Sequence, residues 1–524
     1  MAVIVCPQPQ AAEIGLEVMR RGGNAVDAAV TCAFVQGVVD PQMCGLGGCG
    51  AMLVHSPQAG DSLLEFYGTA GSRVREDQWE SLLIREAADR YGFVLQGWVN
   101  DVGYESVAVP GTVAGLNEAL TRFGTISWAE AIEPAIPLAR DGFPVTGAMH
   151  GYWTTNYGPD VVPHAERIQV TSEAKRIYTH DGRLYEIGET MVQADLARTL
   201  ERLAAVGAED FYRGEIASSI ATDFEANGGF ITLDDLASYQ VNVTEPIRGT
   251  YRGLSVAAAG PPAGGLTLLQ MLNFLEGYDI GAHDWPSTDA ARLLVEAMAW
   301  AVADRELHVA DPRFVEIPVG ALADKAYAAK AREVLHDRPD TTHLCVVDDG
   351  GNAVSMSHTL GSSSGVVTPG LGFGYNDYMN CFDPRPGHPN SLRPGKTRVT
   401  MMTPAMVFDG RKLRVCVGAP GGTKIVTAIM QVLVNVLDHE MTPVEAVSAP
   451  RVDFQGSVVQ AEARIPRVVC EGLERLGYQV NRRTLNYDSY FARPQVIVVE
   501  RDGFASGASD PRKDGGAAYD TETK

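Results

Sequence analysis

The sequence predicts an α+β fold in which helices pack over antiparallel sheets. Before residue 340, several stretches repeat apolar residues every three or four positions, as amphipathic helices do. From residue 340 onward, apolar residues alternate along short runs that Asp-Gly turns separate, as in hairpins. The chain has 524 residues, of which 45% are hydrophobic, so it forms either one very large domain or two to four smaller ones.

Residues 11 to 37 are predicted to form two short helices. Gly22 and Gly23 end the first helix, and Asn24 is placed to cap the second. The second helix, "AVDAAVTCAFVQGVV", is nearly all small and apolar, so we expect it to be buried. Helical periodicity recurs in five further ranges: 112–123, 126–140, 193–206, 264–277 and 287–308.

Strands are predicted mainly in the last third of the chain. The runs are "HLCVVDDGGNAVSMSHTL", "RVTMMTPAMVFDGRKLRVCVGAP", "SVVQAEAR" and "RPQVIVVERDGF". Their alternation and turn residues predict antiparallel hairpins. The Pro- and Gly-rich range 383–396 is predicted to be a surface loop.

Several function classes are disfavoured by composition and residue order. The glycine-dense stretch "DPQMCGLGGCGAMLVH" precedes a strand, whereas a phosphate-binding loop follows a strand and opens a helix. Tight packing is therefore the better explanation for these glycines. The formal charge of −22 argues against nucleic acid and anionic membranes as partners.

The cysteines and the amino terminus favour a cytoplasmic enzyme. Eight cysteines are scattered without the spacing of a zinc site, so they are interpreted as small core residues. The first ten residues lack a signal-peptide core, and no run reaches the roughly 18 apolar residues that span a bilayer. We expect neither a metal nor an organic cofactor.

One short motif, "DTTHLCVV", suggests chemistry at residue 341. If the bond between Asp340 and Thr341 is cut, the new terminal amine has a reference pKa of about 7.7 to 8.0 and can act as base for its own hydroxyl. The hydroxyl of Thr341 could first attack the Asp340 carbonyl to form an ester that water opens. Taken alone, however, Thr-Thr-His is a weak signal, and an ordinary strand residue is the better interpretation.

A family resemblance favours the chemical interpretation. The stretches "TTHLCVVDDGGNAVSMSHTLG" and "VGAPGGTKIVTAIMQVLVNVLDHEMTPVEAVSAPRVDFQ" resemble the small subunit of the gamma-glutamyltranspeptidase family. Upstream, "AAEIGLEVMRRGGNAVDAAVTCAFVQGVVDPQMCGLGGCG", "VAVPGTVAGL", "DLASYQV", "PPAGGLTLLQMLNFLE" and "DPRFVEIP" are similar to family motifs in the same order. The resemblance covers nearly the whole chain, through "GASDPRKDGGAA".

The resemblance implies the N-terminal-nucleophile hydrolase fold, a four-layer αββα sandwich of two antiparallel sheets. It also implies self-cleavage into a large chain of residues 1–340 and a small chain of residues 341–524, which together form one intertwined domain. Thr341 is then nucleophile and base, and Thr359 hydrogen-bonds to it. Gly421 and Gly422 would donate backbone N–H groups to the oxyanion, where a close approach of the backbone requires glycine.

The family positions that hold a glutamyl head group are altered in this sequence. Glu76 stands where the family has the arginine that binds the α-carboxylate. Arg73 and Arg75 are nearby and are predicted to replace it, or they are surface charges. The Ser-Ser pair of the family becomes Thr400 and Met401.

The positions that bind the α-amino group have also changed. Gly361 replaces an asparagine, and Tyr378 and Cys381 occupy the other two positions. A buried charge without partners costs several kcal/mol, so a zwitterionic head group is poorly served. These changes predict a less polar pocket that accepts an acyl group without the α-ammonium.

The leading hypothesis is therefore a self-cleaving amide hydrolase that acts on a small amide with a carboxylate or acyl head group. An open, water-accessible site favours hydrolysis over transfer to an amine. Two alternatives remain: a true gamma-glutamyltransferase or glutathione hydrolase, and an uncleaved binding protein with this fold. His343, His358 and His388 are more typical of strand or loop residues than of catalysts. The oligomeric state stays open, a homo-oligomer included.

Overall fold

Two antiparallel sheets face each other, and each carries helices on its outer side. The computed structural model describes residues 1–87, 92–155, 158, 161–331 and 343–520. The strands are β1 Val3–Cys6, β2 Cys49–Ser56, β3 Gly60–Phe66, β4 Leu83–Glu86, β5 Phe93–Leu95, β6 Phe143–Pro144, β7 Thr179–His180, β8 Arg183–Leu184, β9 Thr190–Met191, β10 Asn242–Thr244, β11 Ile247–Tyr251, β12 Leu254–Ala258, β13 Leu344–Val347, β14 Ala353–Thr359, β15 Ala405–Asp409, β16 Lys412–Gly418, β17 Val452–Phe454, β18 Val458–Ala461, β19 Gln479–Arg482, β20 Gln495–Val499, β21 Ala505–Ser509 and β22 Gly516–Tyr519.

The helices are distributed over the whole described chain. They are α1 Pro9–Arg20, α2 Ala25–Val39, α3 Thr112–Phe123, α4 Trp128–Ile132, α5 Ala135–Asp141, α6 Gly147–Thr154, α7 His164–Arg167, α8 Ser172–Tyr178, α9 Ala194–Val206, α10 Glu209–Arg213, α11 Glu215–Ala226, α12 Leu233–Ser238, α13 Gly265–Leu275, α14 Thr288–His308, α15 Val319–Leu322, α16 Lys325–Ala331, α17 Lys424–Leu437, α18 Pro443–Ser448 and α19 Arg467–Arg475.

The two large sheets differ in size and strand order. The first sheet has seven strands in the order β10-β3-β2-β14-β13-β1-β22, and the second has six in the order β11-β12-β15-β16-β20-β21. Every pairing within them is antiparallel. A smaller sheet, β17-β18-β19, and three two-stranded sheets lie outside these two.

The alternation of side chains along the strands generates the layers. In β1, Val3 and Val5 join the apolar cluster between the two sheets, whereas Ile4 and Cys6 join the cluster beneath the helices. Residues of α13, α14 and α17 pack on the outer face of the second sheet in a further cluster. The predicted four-layer αββα sandwich is thus confirmed.

Segments before and after the range 332–342 contribute strands to both sheets. In the first sheet, β1 lies between β13 and β22, and β14 lies between β2 and β13. In the second sheet, β12 pairs with β15. The two parts of the chain therefore share their cores.

Most predicted helices are present, with one correction. Asn24 caps α2 by accepting from Val26 N and Asp27 N, as predicted. The range 126–140, however, is two helices, α4 and α5, rather than one. Pro134 lies between them, and a proline lacks the N–H that would continue the hydrogen-bonding of the first helix.

The Pro- and Gly-rich range 383–396 is only partly a surface loop. Leu392 is fully buried, and the Lys396 ammonium donates to the carbonyls of Pro389 at 2.7 Å and Ser391 at 2.9 Å. Burial lowers the Lys396 pKa to about 8. The segment is therefore anchored to the body of the protein, which a Pro- and Gly-rich composition does not reveal.

The glycines of "GLGGCG" confirm the prediction of tight packing. A Cβ atom at Gly50 would lie 2.2 Å from the Ser357 carbonyl oxygen, and one at Gly48 would lie 2.6 Å from that of Thr359. These glycines bring β2 against β14. All eight cysteines lie in the described part of the chain, where none forms a disulfide. None of the helices described has the length and apolar character needed to cross a bilayer.

Candidate active site

The end of β14 is the centre of the candidate site. Thr359 is the last residue of this strand, is 4% exposed, and pairs across the sheet with Cys49 of β2. Its hydroxyl oxygen accepts a hydrogen bond from Gly361 N at 2.8 Å. Because a hydroxyl has one proton and two acceptor sites, the Thr359 proton remains available for a partner.

His343, the first described residue after the range 332–342, is locked into the sheet. Its Nδ1 lies 2.9 Å from Ser357 Oγ, and its Nε2 lies 3.1 Å from Ser355 Oγ and 3.3 Å from Cys345 Sγ. Complete burial lowers the His343 pKa to about 3. The imidazole is therefore neutral at physiological pH and anchors the chain at the start of β13.

His358, the neighbour of Thr359, faces the helices rather than the second sheet. Its Nε2 lies 2.9 Å from Gln36 Oε1 of α2. Burial lowers the His358 pKa to about 4. Neither His343 nor His358 is thus charged near neutral pH, and His388 lies at the edge of a cavity described below.

Gly421 and Gly422 form the turn between β16 and α17. Their φ angles are +142° and +65°, in the region that glycine adopts readily. A Cβ atom on Gly421 would lie 2.2 Å from Ala492 Cα. Arg493 N donates to the Pro420 carbonyl at 2.7 Å and fixes the segment next to this turn. Both the φ angles and the close contact explain why this turn carries glycine.

A cavity of about 250 Å³ contains two of the predicted substrate-binding residues, Cys381 and Met401. Its wall combines apolar side chains with three arginines and three carboxylates, those of Glu86, Glu306 and Asp383. The lining residues that matter here are Phe93, Val309, Val399, Arg305, Arg385 and Arg398. The arginines suit an acyl chain that carries a negative charge. The carboxylates beside them make the wall mixed in charge, not the less polar pocket that the sequence predicts.

Tyr378 and Thr400, also predicted to bind substrate, are not among the residues that line this cavity. Both are buried, and the Tyr378 hydroxyl lies beside Thr400. The Arg398 guanidinium stacks over the Tyr378 ring at 4.0 Å. The charge of Arg398 also acts on Cys49, the strand partner of Thr359, although burial raises that thiol pKa to about 12. Arg398 thus lines the cavity and stacks on Tyr378.

The arginines of the cavity were not predicted from the sequence. Arg305, at the end of α14, is 4% exposed, and its NH1 lies 3.0 Å from Met401 Sδ. Arg385, at the mouth, pairs with Asp383 at 2.7 Å and Glu86 at 3.0 Å. Among these arginines, only Arg398 could have been found from the sequence, because it lies two residues before Thr400. Arg305 looks like any other charged residue on a long helix.

Arg73 and Arg75 are not brought to the cavity. Arg73 pairs with Glu225 at 3.1 Å, and Arg75 pairs with Asp77 at 3.4 Å, both on the surface. This geometry favours the alternative that they are surface charges. Gly361 lies in the turn after β14 with φ of +71°. The predicted cleavage residues Asp340 and Thr341 lie outside the described residues.

The layers define the fold of the N-terminal-nucleophile hydrolases. The crystal structure of cephalosporin acylase from Bacillus halodurans superimposes with a TM-score of 0.89 and 28% identity, over 99% of this chain and 96% of that one. The sequence model described as Gamma-glutamyltranspeptidase matches residues 11–520. The chain therefore belongs to the gamma-glutamyltranspeptidase family.

Two relatives show the range of activities in the family. Acylase ACY 1 proenzyme of Pseudomonas sp. (strain V22) is 37% identical over 98% of this chain and 92% of the relative. Glutathione hydrolase proenzyme of Escherichia coli (strain K12) is 34% identical over 96% of this chain and 89% of the relative. The chain is thus an enzyme, an amide hydrolase of this self-processing family.

Proposed function

We propose that this chain cuts itself between Asp340 and Thr341, and that Thr341 then hydrolyses a small amide whose acyl group ends in a carboxylate. The products of self-cleavage are residues 1–340 and 341–524. No metal or organic cofactor takes part in the proposed chemistry.

The pairing of β13 with β14 is the observation that carries the proposal. Leu344 pairs with Met356 and Val346 with Val354, so one step back along β13 corresponds to one step forward along β14. The contact between His343 and Ser357 extends this register. Continued by two more residues, the same register would bring position 341 opposite Thr359.

The proposed reaction has two halves. The terminal amine of Thr341 takes the proton of its own hydroxyl, the oxygen attacks the amide carbonyl, and the amine returns the proton to the leaving nitrogen. The N–H groups of Gly421 and Gly422 stabilise the oxyanion, where one such donor contributes about 3 kcal/mol. Water then attacks the ester with the same amine as base, which releases the acid and restores the hydroxyl.

The cavity supports the choice of acyl group. Met401, Val309 and Val399 give a short chain an apolar surface, and Arg305 and Arg398 are the cations proposed to meet a terminal carboxylate. Glu86, Glu306 and Asp383 line the same cavity. An arginine can bind a carboxylate through two parallel N–H donors. An unsubstituted acyl group uses only the apolar part of this surface.

Three proteins test self-cleavage: the wild type, Thr341→Ala and Thr341→Ser. On a denaturing gel, wild type and Thr341→Ser should give two chains. Sequencing should find residue 341 at the new amino terminus, threonine in the wild type and serine in the variant. Thr341→Ala should stay a single chain without turnover. Two chains from Thr341→Ala would refute the assignment of the nucleophile.

A substrate panel tests the acyl group. Release of p-nitroaniline should be fastest from the glutaryl anilide and slower from the butyryl anilide, and oxamate is assayed through ammonia. The γ-glutamyl anilide, with and without glycylglycine, covers the alternative function. Fastest turnover of the γ-glutamyl anilide, accelerated by glycylglycine, would instead establish a gamma-glutamyltransferase.

A further inference from the structure

The direction of the Thr359 hydroxyl depends on the turn that follows β14. Gly361 N donates to Thr359 Oγ1 at 2.8 Å, so one acceptor site of the oxygen is occupied. The proton of the hydroxyl must then point elsewhere. A shift of the Gly361 peptide would release this constraint and let the hydroxyl rotate.

The Asp377 carboxylate contacts this turn at Gly361 and Ser362. Ser362 N donates to Asp377 Oδ2 at 3.1 Å. Asp377 Oδ1 lies against Gly361, where a Cβ atom would be 1.9 Å from it. The oxygen therefore occupies the space that a side chain at position 361 would need.

Arg167 fixes the carboxylate in turn. Its NH1 donates to the Ser363 carbonyl at 2.8 Å and lies 3.4 Å from Asp377 Oδ2, and its NH2 donates to Asp101 at 2.5 Å. Arg167 and Asp377 are completely buried. Asp377 Oδ1 has no hydrogen-bond partner among the described residues. Arg167 thus interacts with two carboxylates, those of Asp101 and Asp377. The Oδ1 atom of Asp377 contacts Gly361 instead.

We propose that Asp377 is a positioning residue, whose ionised carboxylate holds the Gly361–Ser362 turn and thereby aims the Thr359 hydroxyl at the nucleophile. This inference rests on the proposed function of Thr341 and Thr359. In this proposal Asp377 acts through the turn and not on the reacting atoms. It acts through two backbone N–H groups, one bonded to its carboxylate and the other to the Thr359 oxygen.

The surroundings of Asp377 make its ionisation sensitive to pH. Burial and the nearby Asp101 raise the Asp377 pKa to about 7, whereas Arg167 and Arg398 lower it. The charge of Asp377 also acts on the buried Cys49 thiol. Because the pKa is raised, the carboxylate is present above about pH 7 and is lost as the pH falls.

The pH dependence of kcat/KM provides a readout that a merely structural role would not change. The Thr341 amine must also be unprotonated, and its reference pKa is about 7.7 to 8.0. In the wild type, two groups then lose activity on the acid side, and the slope of log kcat/KM against pH should approach about 2. In Asp377→Asn, one group remains, and the slope should fall to about 1.

The rates are compared per cleaved chain, and the rate of self-cleavage is measured as well. Asp377→Asn keeps the shape of the side chain and should lower kcat roughly ten- to hundred-fold with little change in KM. Gly361→Ala, whose Cβ needs the space of Asp377 Oδ1, should show the same loss. Glu462→Gln is the matched control, because this buried carboxylate also binds an arginine, Arg512, and a backbone N–H, that of Asp488.

The outcomes separate the two proposals. If the wild type neither cleaves itself nor hydrolyses any amide of the panel, the proposed function is refuted, and this inference is refuted with it. An active wild type whose Asp377→Asn variant keeps kcat within about two-fold and the same acid slope overturns the positioning role alone. A comparable slope change in Glu462→Gln would also overturn it, since general destabilisation would then explain the effect.

Discussion

Gly418 at the end of β16 lies directly against the imidazole of His343, and a Cβ atom there would be 2.1 Å from His343 Cε1. This contact joins the second sheet to the first, two residues from the proposed nucleophile. The same strand leads into the Gly421–Gly422 turn. This one contact therefore joins the start of β13 to the strand that leads into the Gly421–Gly422 turn.

The first prediction concerns this contact. Gly418→Ala should displace the His343 ring and with it the start of β13, so self-cleavage and kcat should each fall by roughly ten-fold or more. Gel densitometry over time and initial rates per cleaved chain measure the two effects. Gly147→Ala is the control, since a Cβ there meets no atom within 4 Å. Equal rates for the two variants would show that the position of His343 does not matter.

A second prediction concerns the charge in the cavity. Arg305→Leu removes a buried cation, and a hydrogen bond to a charged group contributes about 1.5 to 3 kcal/mol. The ratio of kcat/KM for glutaryl over butyryl anilide should therefore fall roughly ten- to hundred-fold. Arg292→Leu, on the same helix but paired with Glu296 at 2.8 Å, should leave the ratio unchanged. An unchanged ratio in Arg305→Leu would exclude this arginine from acyl recognition.

A third prediction follows from the buried neutral histidine at position 358. Its pKa is about 4 in the folded protein and about 6.5 when unfolded, so below pH 6.5 the unfolded chain binds the extra proton. The free energy of unfolding should therefore be highest above pH 6.5 and should decrease toward pH 4. At pH 5 this group alone should lower it by about 2 kcal/mol.

The substitution His358→Gln checks this contribution. The loss of stability between pH 7 and pH 5, measured by denaturant unfolding, should become smaller by about 2 kcal/mol, because glutamine does not titrate. His180→Gln, at an exposed position, serves as the control. If both variants keep the wild-type loss, His358 is not the group that couples folding to pH.

A fourth prediction concerns the cap of α2. Asn24 accepts from two backbone N–H groups of the helix, and its Nδ2 donates to the Phe123 carbonyl at 2.6 Å. Asn24→Ala should lower the free energy of unfolding by about 1 kcal/mol or somewhat more. Asn227→Ala, at an exposed helix end, should change it by less than about 0.5 kcal/mol. A loss below that limit in Asn24→Ala would mean that water replaces the cap.

The sequence predicted the features that depend on local patterns. The cap at Asn24, the hairpin of β13 and β14 and the packing role of the glycines before β2 follow from residue order over a few positions. The division of 126–140 at Pro134 could also have been anticipated, because a proline interrupts helical hydrogen-bonding. The layered fold followed from these elements together with the family resemblance.

The remaining features depend on contacts between distant segments. The proximity of Arg305 to Met401 joins residues almost a hundred positions apart, and no local pattern distinguishes that arginine from a solvated one. Asp377 was passed over because its neighbour Tyr378 occupied the family position. Its role emerges only when Arg167 is seen beside it.

Because both large sheets contain strands from both parts of the chain, cutting the backbone would not separate the two parts. Were the polypeptide opened anywhere in the range 332–342, each half would still keep β-ladder partners from the other half in both sheets. The fragments could come apart only by dismantling the three large apolar clusters to which both contribute. A broken peptide bond in that range would liberate a new chain end while leaving the assembly as inseparable as before.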